Sequence, residues 1–377
     1  VLLTADQEAI RDAMRAFAQQ ELWPHAAQWD HEHTFPHAAH QGLAALGAYG
    51  ICVPQEEGGA GLDHLSLAVV LEEIAAGDGG TSTVISVTNC PVNAILMRYG
   101  NAAQKRKWLE PLAQGKMLGA FCLTEPQAGS DASSLRTTAK KQVDGSYVIN
   151  GSKQFITSGK NAQVAIVIAV TDASAGKRGL SAFLVPTDAA GYTVARLEDK
   201  IGQHSSDTAL IQFDACRVAE ENRIGAEGEG YKIALGGLEG GRIGIAAQSV
   251  GMARSAFDVA LQYAKERSTF GQPIVQHQAV GFRLADCAMQ IEAARQLVWH
   301  AAALRDAGRP CLKEAAMAKL FASEMAEGVC SAAIQTLGGY GVLSDFPVER
   351  IYRDVRVCQI YEGTSDIQRL LIQRALI

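Results

Sequence analysis

The run Val164-Ala165-Ile166-Val167-Ile168-Ala169-Val170 is the longest convincing apolar stretch in the chain, and its length decides what surrounds it. It suits a strand and falls far short of the ~20 residues a bilayer span requires. The reading is a buried strand and no integral membrane segment. Between about Leu118 and Ile224 further β-rich runs recur at Tyr147-Val148-Ile149, Ala182-Phe183-Leu184-Val185, Tyr192-Thr193-Val194 and Ala209 to Phe213. Asn150-Gly151 reads as the tight turn of a hairpin that pairs Tyr147-Val148-Ile149 with Gln154-Phe155-Ile156-Thr157.

On either side the period becomes helical. From Thr4 to about Lys116, Leu65, Val69, Leu71, Ile74 and Ala75 recur at three-to-four spacing with Glu72 and Glu73 on the opposite side. Beyond Gly225 to Gly230 the chain is Ala-rich, with helical stretches at Ile233 to Arg267, His277 to Arg305, Leu312 to Thr336 and from about Ile367, which suggests a four-helix bundle. Ser365-Asp366-Ile367-Gln368 fits a capping box that starts the last helix near Thr364. The expected fold is mainly α with a middle β-domain, divided at 1–117, 118–226 and 227–377.

The 377 residues are 48% hydrophobic and 20% charged, which excludes disorder and allows roughly two or three domains. The 34 Lys and Arg against 40 Asp and Glu leave a net charge of −6, which opposes a polyanionic partner unless charge is segregated. From Tyr231 onward, sixteen basic and fourteen acidic residues make no basic stripe, so no nucleic-acid partner is expected. The opening residues lack the features of a secretory signal, and the expected location is cytoplasmic or the equivalent mitochondrial matrix.

Eight scattered cysteines form no CxxC pair and read as buried reduced thiols. Five of the nine histidines lie between His25 and His40. No Cys or Asp cluster at ligand spacing accompanies them, and exposed histidines at a helix junction account for them better than a metal. Glycine fingerprints for nicotinamide or nucleoside triphosphates, and a nucleophile elbow, are absent.

Two segments can carry chemistry. In Phe121-Cys122-Leu123-Thr124-Glu125-Pro126-Gln127-Ala128-Gly129-Ser130-Asp131 a strand ends in a loop dense in hydroxyls and backbone donors, able to bond the edge of a flat heteroaromatic ring. On composition alone an ordinary strand exit is the favoured reading. In Gln359-Ile360-Tyr361-Glu362-Gly363-Thr364-Ser365-Asp366 one carboxylate follows an apolar and aromatic run, where desolvation would raise its pKa toward that of a general base. The bland reading is a glutamate favoured by the dipole of the following helix.

Taken with the domain order, these segments resemble the acyl-CoA dehydrogenase family from end to end. The resemblance rests on Val53-Pro54-Gln55-Glu56-Glu57-Gly58-Gly59-Ala60-Gly61, on Leu123-Thr124-Glu125-Pro126 with Ala128-Gly129-Ser130-Asp131, and on Glu266-Arg267 with Thr269-Phe270-Gly271. It continues in Gln335 with Leu337-Gly338-Gly339-Tyr340-Gly341, in Arg353-Asp354, and in Ile360-Tyr361-Glu362-Gly363-Thr364.

The resemblance implies an N-terminal helical domain, a central β-barrel-like domain and a C-terminal four-helix bundle, with FAD between the last two. It implies oxidation of an acyl-CoA to its trans-2-enoyl-CoA, with Glu362 as the base for the α-proton and flavin N5 taking the β-hydride. For FAD it nominates Phe121, Leu123, Thr124, Gly129 and Ser130, with Phe155, Ile156 and Thr157, and Thr364 and Asp366. Arg267, Thr269, Phe270 and Gln278, with Gln335, Gly338 and Gly339, correspond to pyrophosphate and adenosine positions, partly from a neighbouring subunit, which implies a homotetramer.

For acyl-CoA it nominates Ser130, Leu238, Glu239, Arg242, Tyr361 and Gly363, with acyl-pocket walls from Thr81 to Cys90 and around Ile245. Arg242 is expected near the CoA moiety, its alternative being a helix-surface ion pair. Gln127, Phe155 and His204 depart from the family pattern. Gly241 stands where the isovaleryl and long-chain branches carry their base, so Gly240 to Ala246 looks most like the short-chain group. Electron-transferring flavoprotein is the implied partner. An oxidase using dioxygen, and a flavin-containing nucleic-acid-binding or assembly protein on the same fold, stay open as alternatives.

Overall fold

The computed structural model describes residues 1–377. The N-terminal helices are α1 (Ala5–Phe17), α2 (Trp23–Glu32), α3 (His37–Ala45), α4 (His64–Gly77), α5 (Gly79–Val87), α6 (Ala94–Tyr99), α7 (Ala102–Gln104) and α8 (Glu110–Ala113). Local chemistry sets their ends: Thr4 and Gln7 form a capping box at α1, while Asp63 and Asp78 accept from Ser66 and Thr81 at the starts of α4 and α5.

Helix α4 is buried almost all round, because α1 covers one side and the C-terminal bundle the other. Glu72 and Glu73 therefore do not face solvent as their spacing suggested; Glu73 is 2% exposed. Arg15 and Arg254 both fork onto Glu73 at 2.6 to 3.0 Å, and Arg295 forks onto Glu72 at 2.9 to 3.2 Å. Burial alone would push the Glu73 carboxyl up, yet its two guanidinium partners hold it below the usual carboxylate range. Hydropathy spacing registers these as polar residues, whereas the fold buries them as paired charges.

The middle of the chain is an eight-stranded sheet of β1 (Gly119–Cys122), β2 (Thr138–Lys141), β3 (Tyr147–Thr157), β4 (Val164–Val170), β5 (Leu180–Pro186), β6 (Tyr192–Leu197), β7 (Thr208–Val218) and β8 (Arg223–Ile224). The strand order is β6-β7-β3-β2-β4-β5-β8, with β1 parallel to β4. Alternate residues of β4 enter two different cores: Val164, Ile166 and Ile168 pack toward helices, while Ala165, Val167 and Ala169 pack within the sheet domain. A strand buried on both faces reads as an unbroken apolar run.

The expected hairpin at Asn150-Gly151 is not formed. Strand β3 runs straight through it, and the pair sits at a bulge against β7 between Ile149 and Gly151. Gly151, at φ 143, is needed because a Cβ there would lie 2.6 Å from Thr137 Oγ1, and Asn150 Oδ1 accepts from Ala215 N at 2.8 Å across the bulge. The hairpin lies instead between β2 and β3, where Gln142 to Ser146 close the turn around Asp144-Gly145. Two dipeptides carried the same turn signal, and pairing with β7 decided which one turns.

The bundle consists of α9 (Gly230–Glu266), α10 (Gln278–Asp306), α11 (Leu312–Leu337) and α13 (Ser365–Leu376), with a short α12 (Val348–Val355) that the period did not predict. A two-stranded ribbon, β9 (Ser268–Thr269) and β10 (Gln272–Pro273), joins α9 to α10. A core of 48 buried residues unites the bundle with α4. All eight cysteines are unpaired thiols, and no helix is long and apolar enough to cross a membrane.

Removing Glu73 would take the shared partner from two guanidiniums, Arg254 at 17% side-chain exposure and the more open Arg15 at 40%. Glu73→Ala is expected to lower unfolding stability by about 3 kcal/mol, measured by urea denaturation; a loss under about 1 kcal/mol would show that the ion cluster is not structural.

Candidate active site

Helix α9 carries Gly240-Gly241-Arg242 where it passes the loop Ile360 to Thr364, which leads into α13. In that loop Glu362 has φ 53 and Gly363 φ 94, two successive left-handed residues that bend the chain and turn the glutamate toward α9. A Cβ on Gly241 would lie 1.7 Å from Glu362 Oε2, so only glycine admits the carboxylate there.

Glu362 Oε2 is buried with no hydrogen-bond partner, and the Glu362 backbone N–H donates to nothing in the protein. Burial pushes the Glu362 pKa up to about 8, with the charges of Arg242 and Lys319 holding it from rising further. Arg242 is 7% exposed and its Nε has no partner, so it is not the surface ion pair that its helix position allowed.

The loop is clamped from two sides. Lys319 Nζ on α11 and Gln368 Nε2 on α13 each donate to Gly363 O at 2.8 Å, and Gln368 also reaches Glu362 O at 3.3 Å. The N-cap of α13 is therefore Thr364, whose hydroxyl accepts from Ile367 N at 3.4 Å, and the expected Ser365-Gln368 box does not form. Gln368 serves the loop carbonyls, and the Ser365 hydroxyl is left without a partner.

Beside the glutamate, the Tyr361 hydroxyl lies 3.2 Å from Gln248 Oε1, 3.4 Å from Thr83 Oγ1 and 3.4 Å from Cys358 Sγ. Thr83 donates onward to Gln203 Oε1 at 2.7 Å, and Gln203 bonds Asp354 through both its backbone and its side chain. This chain ties α5, the β-domain and the bundle around Tyr361. Asp354, buried beside Arg350, is pushed up to about 7 by burial.

The β-domain contributes the loop after β1. Its underside is fixed by a buried ion pair, Lys153 Nζ to Glu125 Oε1 at 2.8 Å; Glu125 also accepts from Arg136 N and Thr137 N, and Lys153 donates to Leu123 O. Gln127 Nε2 donates to the same carboxylate at 2.7 Å. Above this anchor Gly129 and Ser130 are exposed, Thr124 is half-buried, and Leu123 and Phe121 belong to the apolar cluster against which Leu238 packs.

Phe155 and Thr157 lie on β3, continuous with Tyr147 to Ile149, rather than on a separate strand beyond an Asn150-Gly151 turn. Phe155, at φ 60, is 63% exposed, whereas the Ile156 side chain is turned into the sheet core. Thr364 is half-buried in the loop, and Asp366 is exposed beside Arg369. Glu239 lies one turn from Arg242 on α9, near Arg305 and the Cys311 thiol.

A second group of expected residues lies elsewhere. Arg267, Thr269 and Phe270 on the ribbon after α9, Gln278 at the start of α10, and Gln335, Gly338 and Gly339 at the end of α11 share one end of the bundle. Phe270 is 97% exposed. Along α9 that end is about 39 Å from Gly241 at ~1.5 Å per residue, so one chain does not bring the two groups together.

Spacing did not single out Lys319, Gln368, Gln248, Gln203 or Thr83. For Lys319 a signal existed, since it interrupts the buried stripe Ala315, Ala318, Ala322 and Ala326. The histidine segment is exposed except His40, which is buried against Tyr49 Oη at 2.7 Å and pushed down to about 3 by burial. His33 meets His204 and Asp199 with ligand atoms within 4.8 Å. Its ring stacks on His204 at 3.9 Å and 18°, which keeps the in-plane lone pairs parallel, and both His204 nitrogens face oxygen acceptors. That geometry suits hydrogen bonding better than a shared metal.

An exposed aromatic face, a hydroxyl-bearing loop above a rigid ion pair, and a desolvated carboxylate with an unpaired N–H fit a planar heteroaromatic cofactor facing a carbonyl substrate. Comparison with known proteins agrees with that chemistry. Acyl-CoA dehydrogenase N-terminal, middle and C-terminal domains match residues 4–116, 120–216 and 228–377.

The short-chain specific acyl-CoA dehydrogenase of Mus musculus mitochondria is 45% identical over 372 residues, 99% of this chain and 90% of that protein. Butyryl-CoA dehydrogenase from Megasphaera elsdenii superposes with a TM-score of 0.98 at 41% identity, covering 100% of this chain and 99% of the other. A chain in a structure of the electron transferring flavoprotein of Acidaminococcus fermentans superposes with a TM-score of 0.97 at 45% identity, covering 100% and 99%. The chain belongs to the acyl-CoA dehydrogenase family and is a FAD-dependent oxidoreductase.

Proposed function

We propose that the protein converts short acyl-CoA thioesters to trans-2-enoyl-CoA, with Glu362 as the base. The carrying observation is the Glu362 carboxylate, buried without a partner on Oε2 above Gly241, next to a backbone N–H that is equally unpaired. The N–H donates to the thioester oxygen as enolate charge develops, a bond worth most in the transition state. The carboxylate takes the α-proton, and a raised pKa brings its proton affinity closer to that of the carbon acid it must deprotonate. Bound FAD supplies the acceptor for the β-hydride, so two C–H bonds break as the Cα–Cβ double bond forms. Thr124, Ser130, Phe155 and Thr157 line the cofactor side, and Tyr361, Arg242 and Leu238 the substrate side.

Short acyl chains are favoured by what lies one helical turn beyond the base. A Cβ on Gly244 would sit 2.7 Å from Ser86 Oγ and 3.2 Å from Leu71 Cδ1, both side chains being fully buried, so α4 and α5 fill the space along α9. The likeness to butyryl-CoA and short-chain enzymes supports the same class.

The separation of the two groups of FAD residues along α9 supports an oligomer in which Arg267, Phe270 and Gln278 serve a neighbour's cofactor, a homotetramer by family resemblance. An electron-transferring flavoprotein is the proposed electron acceptor, supported by the likeness to a chain in that protein's structure.

The test is anaerobic bleaching of the yellow protein by butyryl-CoA. The base must be ionised and its pKa is raised to about 8, so the bleaching rate of the free enzyme at low substrate rises about tenfold per pH unit below that value and levels above it. Glu362→Gln should keep FAD and lose bleaching by about 10²-fold or more; bleaching within about threefold of wild type would overturn the assignment. Gly241→Ala should also retain FAD while displacing the carboxylate, with bleaching slowed by about 10²-fold. An unchanged rate would show that Glu362 does not act from above Gly241.

A further inference from the structure

A fully buried lysine sits behind the catalytic loop. Helix α11 presents Ala315, Ala318, Ala322 and Ala326 to the bundle, and in the middle of this stripe Lys319 is 0% exposed. An aliphatic side chain would fill that position without desolvating a charge. The ammonium has one hydrogen-bond acceptor, Gly363 O at 2.8 Å, directly after the base. We propose that Lys319 is the positioning residue of Glu362: its ammonium fixes the Gly363 carbonyl, so that the left-handed Glu362-Gly363 pair holds its shape, and places a positive charge behind the carboxylate. This inference rests on Glu362 being the base.

Two donors share the Gly363 carbonyl, and they differ in charge. Gln368 holds the same oxygen at 2.8 Å without bringing a charge. Lys319 therefore adds to the clamp what Gln368 does not, an electrostatic bias toward the ionised base. The groups around this pair come from every side: Arg242 and Glu239 from α9, Glu324 from α11 itself, Cys358 from the segment before the loop, and Cys90 from the segment after α5. Of these, Arg242 is the other cation, and burial disfavours its charge too. Burial lowers Lys319 to about 8, against the pull of Cys358 and Glu362, so it titrates in the same range as the base. The two groups therefore exchange charge states over the same pH interval.

The test isolates proton abstraction from hydride transfer. Acetyl-CoA has α-hydrogens but no β-carbon, so its α-hydrogen exchange with deuterated solvent, followed by proton NMR on the FAD-loaded protein, reports the base alone. Lys319→Gln keeps a donor near Gly363 O and removes the charge. Its exchange profile should shift about one pH unit upward, a tenfold loss at pH 7 that disappears near pH 10. Lys319→Arg should place the limb at or below the wild-type position, because its charge persists at all pH values studied.

Gln368→Leu, which removes the neutral donor, should lower exchange without moving the limb. Uniform loss at every pH in Lys319→Gln, with no shift, would reduce Lys319 to a structural residue and overturn the proposal. If Lys319→Gln does not retain FAD, Lys319→Arg decides: a limb moved upward overturns it. Exchange that survives in Glu362→Gln would instead overturn the base assignment, whatever Lys319 does.

Discussion

The close approach of a glutamate carboxylate to a helix backbone is the constraint on which the site depends. Glu362 Oε2 occupies the space where any other residue at 241 would place its Cβ. That contact requires α9 to pass within reach of the loop before α13, and requires the loop to turn through two left-handed residues. The bundle supplies the first condition by packing α9 against α4 and α11. The clamp of Lys319 and Gln368 on Gly363 O supplies the second. A non-glycine residue in the left-handed region costs about 1 kcal/mol or more, and it persists where the surroundings over-determine it.

The same economy of paired burial recurs away from the base. Lys153 and Glu125 are both nearly inaccessible, yet together they hold the hydroxyl-bearing loop from beneath and leave its upper surface open. Glu72 and Glu73 serve α4 in the same way, with three guanidiniums forked onto them. In each case both carboxylate oxygens meet donors. At Glu362 the matching is incomplete: Arg242 and Lys319 lie within electrostatic reach, but no donor meets Oε2. An under-solvated carboxylate keeps its proton to higher pH, which separates a base from a structural anion.

Much of this was legible in the sequence, and the failures have physical causes. The unbroken run of β4 announced a doubly buried strand, and the Ala-rich periods of α9, α10 and α11 announced a bundle. The motif around Tyr361-Glu362-Gly363 nominated Glu362 as the base through its resemblance, where the bare pattern of one carboxylate before a helix left two readings open. Asn150-Gly151 misled because a turn dipeptide and a bulge demand the same backbone freedom, and only the pairing of β3 with β7 distinguishes them. Glu72, Glu73 and Lys319 were hidden because hydropathy registers a charge without its partner, and their partners lie on other helices or, for Lys319, in the loop before α13. The resemblance already implied that the group around Arg267 serves a neighbouring subunit, and the length of α9 gives the separation of the two groups of expected FAD residues.

The most direct test of the account is the ionisation of Glu362 itself in the substrate-free protein. Carbon-13 NMR of protein labelled at glutamate Cδ, compared with Glu362→Gln to assign the missing signal, follows that carboxyl through pH. The account predicts a single resonance titrating near pH 8. A resonance titrating near the ordinary carboxylate value of about 4.3 would contradict it, since a solvated carboxylate would be neither desolvated by the pocket nor poised as the base.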